Sequence, residues 1–148
     1  MKSDKKQLKE IRVVQIIDSL DAGGGERMAV NIANYLQPFV SFSGLITTRK
    51  TGLLQDQIDS KVEFVCLNKQ SKLDIAAIRK ALKFIKHNNI THIHAHATSF
   101  FFAGILKLFQ PHLKLIWHDH HGNRSSEKGL MNRVLQLASY RFDHVIAC

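Results

Sequence analysis

Short apolar runs alternate with amphipathic stretches along most of this chain, and the alternation predicts strands that alternate with helices. The first apolar run is rich in β-branched residues, as buried strands are. The predicted strands are Ile11–Ile17, Phe39–Thr47, Val62–Leu67, Thr91–His96, Leu113–His118 and Asp143–Cys148. A rhythm of this kind indicates βαβ units, and therefore a parallel sheet with helices on both faces.

The predicted helices lie between consecutive strands and place apolar side chains at helical spacing. The third begins after Asp74, a candidate cap, and has one apolar stripe that includes Ile75, Ile78 and Leu82. The fourth is apolar on nearly every side, which predicts burial against more than one neighbour. The predicted helices are Glu26–Leu36, Leu53–Asp59, the stretch that follows Asp74 and runs to about Asn88, Ser99–Phe109 and Glu127–Arg141.

Together these elements predict an α/β fold, specifically a Rossmann-like, doubly wound parallel sheet. Right-handed crossovers then place the strands in the order 3-2-1-4-5-6. In such a sheet a ligand binds outside the carboxyl ends of the strands, at the point where the strand order reverses. We therefore expect the functional residues at that edge.

Length and charge narrow the class of protein. A chain of 148 residues is the size of one domain, which we place at residues 11–148 after a basic tail at 1–10. The formal charge of +9 favours an anionic partner such as nucleic acid, an acidic membrane surface or a phosphorylated ligand. Two cysteines without metal-type spacing fit a reducing cytosol. No apolar run is long enough to span a bilayer, and we expect neither a membrane span nor an export signal.

A glycine-rich turn follows the first strand, from Asp18 to Gly25, and leads into the first helix. Glycines let the backbone bend and let a ligand come close, and the free N–H groups of a first helical turn favour an anion such as a diphosphate. The dinucleotide fingerprint is incomplete, because its third glycine position holds Met28, which we expect to obstruct close packing of helix and strand. The plain alternative is a loop that simply starts a helix.

Histidines cluster in two of the predicted strands: His92, His94 and His96 alternate along the fourth, and His118, His120 and His121 close the fifth. Residues two apart in a strand share a face. Three interpretations compete. A metal site has only Asp119 as a nearby carboxylate, which disfavours it. A structural role suits His92 and His94. A sugar or phosphate site suits His96 and His118, at the strand ends.

A basic surface is predicted on the third helix, where Arg79, Lys80, Lys83 and Lys86 fall outside the apolar stripe. It is either a solvated surface, which we favour, or a patch attracted to anionic lipid.

The whole pattern resembles the N-terminal, acceptor-side domain of the retaining glycosyltransferases of family 4, which have the GT-B fold of two Rossmann-like domains. Four segments carry the resemblance, in the family's order and spacing. They read V-V-Q-I-I-D-S-L-D-A-G-G-G-E-R-M-A-V-N-I-A-N-Y-L, H-I-H-A-H, L-K-L-I-W-H-D-H-H-G and F-D-H-V-I-A-C.

The resemblance implies transfer of a sugar from a nucleotide-sugar donor to a sugar or lipid-linked acceptor, with retained configuration and no metal or cofactor. It further implies a cytoplasmic enzyme of cell-surface polysaccharide or glycolipid synthesis that can bind peripherally to the inner face of the membrane. His118 and Asp119 match the family's catalytic positions. The matching donor- and acceptor-binding residues are Gly23, Gly24, Gly25, Glu26, His96 and His120. The family's C-terminal, donor-binding domain has no counterpart in the chain, so the resemblance also implies a fragment inactive by itself.

Three other functions stay open on the sequence alone. A stand-alone module could bind a nucleotide or phosphosugar without chemistry. An oxidoreductase could use Arg49 to read a ribose phosphate, although the glycine pattern disfavours it. Nucleic-acid binding has only the net charge in its favour, because no aromatic-rich basic strand is present, and we expect no nucleic-acid partner.

Overall fold

The computed structural model describes residues 10–119 and 142–147, and these form a six-stranded, all-parallel sheet. The strand order is β3-β2-β1-β4-β5-β6, which confirms the predicted order. The strands are β1 (Arg12–Ile17), β2 (Phe42–Thr47), β3 (Glu63–Cys66), β4 (His92–His96), β5 (Lys114–Asp119) and β6 (His144–Ala147).

Three α-helices connect the strands within the described residues: α1 (Gly24–Leu36), α2 (Ile75–His87) and α3 (Phe100–Phe109). The helix predicted at Leu53–Asp59 is instead a shorter 3₁₀ helix, Leu53–Gln57, and a second 3₁₀ turn spans Ala97–Ser99. The helix predicted at Glu127–Arg141 lies outside the described residues. No helix of the described part is long and apolar enough to cross a membrane.

The two faces of the sheet carry separate apolar cores. Val14 and Ile16 of β1 pack with the buried side chains of α2 and α3, whereas Ile17 packs with Val30 and Ala33 of α1. Adjacent strand residues point to opposite faces, so one apolar run serves both cores. The apolar run of β1 is unbroken because helices cover both faces of this strand, as predicted.

Helix α1 begins at Gly24, two residues earlier than predicted, so two of the three glycines belong to its first turn. Met28 does not obstruct the packing against the sheet, because its side chain is 40% exposed. Ala29 lies towards the sheet instead and is fully buried. The close approach that the third glycine gives in dinucleotide-binding folds is supplied here by a small alanine.

The second strand and the fourth predicted helix differ in part from expectation. β2 starts at Phe42 rather than Phe39, because the amides of Phe39 and Val40 bond to the Leu36 carbonyl and close the end of α1. α3 packs against β4, β5 and α2, which confirms the predicted burial against more than one neighbour, but its side chains Leu108 and Phe109 are 55% and 61% exposed. Its uniform apolar composition therefore overstated its burial.

The loops that follow β1 and β2 are in direct backbone contact. A Cβ atom built on Gly52 would lie 2.3 Å from the carbonyl carbon and oxygen of Leu20. The Leu54 amide donates to the Leu20 carbonyl at 3.0 Å, and the Arg49 amide donates to the Asp18 carbonyl at 2.9 Å. Only glycine fits at position 52, since both surfaces in contact are main chain.

Candidate functional site

The carboxyl ends of the parallel strands place the candidate residues at one edge of the sheet. β1 ends at Ile17 and leads into the glycine segment, β4 ends at His96, and β5 ends at Asp119. Because β1 and β4 are neighbours, as are β4 and β5, the glycine segment, His96 and His118 share this edge as predicted.

The N-terminus of α1 is formed by glycine and lacks a side-chain cap. Gly23 is the N-cap in an extended conformation, and its carbonyl accepts a hydrogen bond from the Arg27 amide at 3.1 Å. A Cβ atom on Gly24 would meet nothing within 4 Å, so the space beside this first turn is open. An anion can therefore approach the N–H groups of this turn, which carry the positive end of the helix dipole.

Glu26 lies beside the same turn. Its carboxylate folds back over Gly23, where a Cβ atom would be 2.2 Å from Glu26 Oε2. An acidic group in a first helical turn is stabilised by the dipole. Any anionic ligand at this helix end must displace the Glu26 carboxylate or bind beside it.

Asp18, the first residue after β1, ties three strand ends together. Its carboxylate accepts a short hydrogen bond from the Thr48 hydroxyl, which follows β2. It also accepts one from Thr98 Oγ1, which follows β4, at 2.7 Å. The reversal of strand order lies between β1 and β4, so this carboxylate braces the place where the crevice forms. Sequence reasoning treated Asp18 only as part of the turn.

Three buried histidines form one cluster of imidazoles. The ring centroids of His94 and His96 are 4.4 Å apart, and each is 5.4 Å from that of His118. The β4–β5 register pairs His96 with His118, and His94 is two residues earlier on the same face. His96 Nε2 is also 2.9 Å from Gln15 Oε1 on β1. A polar cluster thus extends across β1, β4 and β5 just below the sheet edge.

His92 lies apart from this cluster. Its Nδ1 is 2.7 Å from the Thr91 hydroxyl, at the start of β4. Burial lowers the pKa of His92 below its ordinary value, and the charge of Lys114 adds to the effect. The structure therefore separates His92 from His94, two residues that sequence reasoning had treated alike.

A tight turn holds the chain immediately after His96. The Ser99 hydroxyl accepts from the His96 amide at 3.0 Å and lies 2.6 Å from the carbonyl oxygen of Ile16, to which it donates. Ala97 has a φ of 49°, and its carbonyl accepts from Trp117 Nε1 at 2.9 Å. A left-handed conformation costs an alanine about 1–2 kcal/mol, so the surrounding hydrogen bonds hold a strained link.

Asp119 is the last residue of β5 rather than the first of a loop, and it is only 9% exposed. It pairs with Ala147 of β6 in the sheet register. His120 and His121, which the sequence also placed here, lie outside the described residues.

The histidine cluster is the one group of described residues whose ligand atoms lie close enough to consider a metal ion, all within 4.8 Å of one another. Zinc–nitrogen bonds of about 2.0–2.1 Å require ligand atoms roughly 3.3 Å apart in a tetrahedron. The rings of His94 and His118 are instead stacked, with 6° between their planes. These imidazoles would have to turn before they could converge on one ion.

We therefore expect no stoichiometric zinc in the full-length, untagged protein after a chelator wash. The measurement is elemental analysis of the wild type beside His94→Ala. One zinc per chain in the wild type and none in His94→Ala would contradict this prediction.

A comparison with models of protein families identifies a match. A family model described as Glycosyltransferase Family 4 matches residues 22–148, which is most of the chain. The matched span contains the first turn of α1 and the whole histidine cluster. No curated protein matches the chain.

Proposed function

Because this chain belongs to glycosyltransferase family 4, we propose that it transfers a sugar from a nucleotide-sugar donor to an acceptor with retention of configuration. The observation that carries the proposal is a single polar edge of the sheet. There the open, glycine-formed N-terminus of α1 follows β1, and the buried imidazole cluster lies on the neighbouring strands β4 and β5. The helix N-terminus suits a diphosphate, and the imidazole cluster suits sugar hydroxyls.

The first turn of α1 would hold the donor diphosphate. Gly24 leaves room beside the turn, and the helix N-terminus favours negative charge. The charge on the diphosphate grows as its bond to the sugar breaks, so N–H groups that are already aligned stabilise the transition state more than the ground state. Glu26 would then turn from Gly23 towards hydroxyl groups of a bound sugar.

His118 would hydrogen-bond the donor sugar near the transferred carbon. It is 5% exposed and belongs to the cluster that His96 connects to β1 through Gln15. A neutral imidazole has one donor and one acceptor nitrogen, which matches a sugar hydroxyl. Asp119, next in β5, would fix the direction of the strand end, and His96 would line the cleft. No metal or cofactor has a role in this proposal.

A lipid-linked acceptor is supported by the surface of α2. Its four basic side chains are exposed, and the large apolar side chains of Leu73 and Ile75 at its start are 66% and 65% exposed. Exposed apolar residues beside cations suit the surface of an anionic membrane. This surface supports our proposal that the enzyme is cytoplasmic and acts at the inner face of a membrane, in glycolipid or polysaccharide synthesis.

The proposed function is tested with the full-length protein, a panel of radiolabelled nucleotide sugars and a total lipid extract as the source of acceptor. We expect labelled product from one donor, unchanged by a chelator. Saturable donor binding with neither transfer nor donor hydrolysis would contradict the proposal and favour a binding module.

A further inference from the structure

Lys69 is a buried cation that belongs neither to a strand of the sheet nor to the histidine cluster. It follows β3 and is 8% exposed. Its backbone is fixed, because its amide donates to the Thr48 carbonyl at 2.7 Å and the preceding Asn68 has a φ of 55°. The backbone at Lys69 is therefore held just after the end of β3, and the residue is buried there.

The ammonium group of Lys69 lies over an aromatic ring rather than beside a carboxylate. Its Nζ is 5.1 Å from the ring centroid of Phe102 on α3. Among residues 10–119 and 142–147, no carboxylate lies within ion-pair distance of it. A charge that is buried without a partner is costly, so such groups in proteins are normally paired.

The nearest acids are engaged elsewhere. The Asp18 carboxylate accepts from the hydroxyls of Thr48 and Thr98. The Asp74 carboxylate accepts from the amides of Gln70 and Ala77, at 2.9 and 3.0 Å, and so caps α2. Burial lowers the pKa of Lys69, and the charge of Asp18 opposes that shift. The charge of Asp18 thus favours the charged form of Lys69, although the two side chains do not form an ion pair.

The position of Lys69 is at the functional edge but away from α1. Thr48 and Arg49 follow β2 and Lys69 follows β3, so all three lie at the carboxyl ends of the strands. Phe102 belongs to the core on the α2 and α3 face, opposite the core of α1. Arg49 is exposed and close enough to Lys69 for their charges to interact. The carboxyl edge of the sheet therefore has a second positively charged position, formed by Lys69 and Arg49, in addition to the N-terminus of α1.

We propose that Lys69, with Arg49, binds a phosphate group of the acceptor substrate. The role as acceptor subsite rests on the proposed function, whereas phosphate binding itself does not. A phosphate brings the anionic oxygens that the Lys69 ammonium lacks, and charge-assisted hydrogen bonds of this kind are the strong ones. The exposed apolar residues Leu73 and Ile75 begin four residues later, so the phosphate can belong to a lipid headgroup or to a soluble phosphosugar.

The test is a titration of the full chain with inorganic phosphate, followed by NMR at individual backbone amides. We expect saturable shifts at residues 68–70, separate from any at 24–26. Lys69→Met should weaken binding at 68–70 by about tenfold or more, because a hydrogen bond to a charged group is lost. Lys72→Met, which changes an exposed lysine three residues away, should leave it unchanged. Methionine keeps the apolar stem, so Lys69→Met should fold.

Two further probes distinguish the source of the phosphate. Glycerol 3-phosphate represents a soluble ester, and phosphatidic acid in phosphatidylcholine vesicles represents a lipid headgroup. Binding of either that depends on Lys69 supports the proposal and identifies the source. Absence of saturable shifts at 68–70, or equal binding by wild type and Lys69→Met, would overturn it. These experiments measure phosphate binding and need no catalytic turnover. The phosphate site can therefore be supported or overturned independently of the proposed transferase activity.

Discussion

Replacing His118 with alanine is expected to reduce sugar transfer by about 10²–10³-fold, the usual effect of removing one hydrogen bond made in a transition state. His118 is buried at the carboxyl end of β5 and stacks with His94 in the cluster below the crevice. The reduction should appear in kcat, because the proposed hydrogen bond from His118 to the donor sugar would strengthen as charge develops on the sugar. Steady-state kinetics of the full-length enzyme measure it.

The matched control is His92→Ala. This histidine is at the other end of β4, where its ring contacts Thr91, and it is not a member of the cluster of His94, His96 and His118. We expect its turnover to stay within a few-fold of the wild type. Equal losses in the two variants, with both shown to be folded by circular dichroism, would mean that the site is assigned to the wrong end of the sheet.

The second large effect concerns stability. Gly52→Ala should destabilise the fold by about 1–3 kcal/mol, the typical result of forcing extra atoms into a packed contact. The added methyl group would meet the Leu20 carbonyl at 2.3 Å and the Asp21 amide nitrogen at 2.6 Å. Neither is a side chain that can turn away, so the loops after β1 and β2 must separate. In a domain of this size each kcal/mol lowers Tm by about 2–4 °C.

Gly104→Ala gives the opposite expectation for the same chemical change. Gly104 lies within α3, and a Cβ atom there meets nothing within 4 Å. Alanine in a helix interior is better than glycine by about 0.5–1 kcal/mol, so Tm should rise slightly. Thermal or urea unfolding of both variants checks the pair. A Gly52→Ala protein as stable as the wild type would show that the contact between the loops after β1 and β2 does not stabilise the fold.

Sequence reasoning predicted the strand order because the βαβ rhythm and the handedness of crossovers leave few topologies. It also placed His96 and His118 at one edge, since the carboxyl ends of parallel strands coincide. Helix boundaries were less certain. The sequence analysis assigned Gly24 and Gly25 to a turn and started the helix at Glu26, yet the first turn of α1 accepts Gly24 because its N–H groups need no partner within the helix.

Contacts between distant residues were not predictable in the same way. The cluster of His94 with His118 depends on the register between β4 and β5, which a single sequence does not state. Asp18 looked like any turn residue until its partners Thr48 and Thr98 came from two other loops. The sequence analysis did not single out Lys69, because nothing local indicates that its side chain reaches the ring of Phe102 on α3.

The unequal size of the two cores bears on how the protein moves. Among the described residues, eight buried side chains form the core under α1, whereas eighteen form the core under α2 and α3. Local opening costs least where the fewest apolar contacts are lost. Among the three described helices, α1 is therefore the one that can loosen most easily while the rest of the described sheet stays intact, and it also carries the proposed diphosphate site. A ligand bound at the N-terminus of α1 would make loosening of this helix less frequent. Substrate binding would therefore make the α1 face of the sheet more rigid.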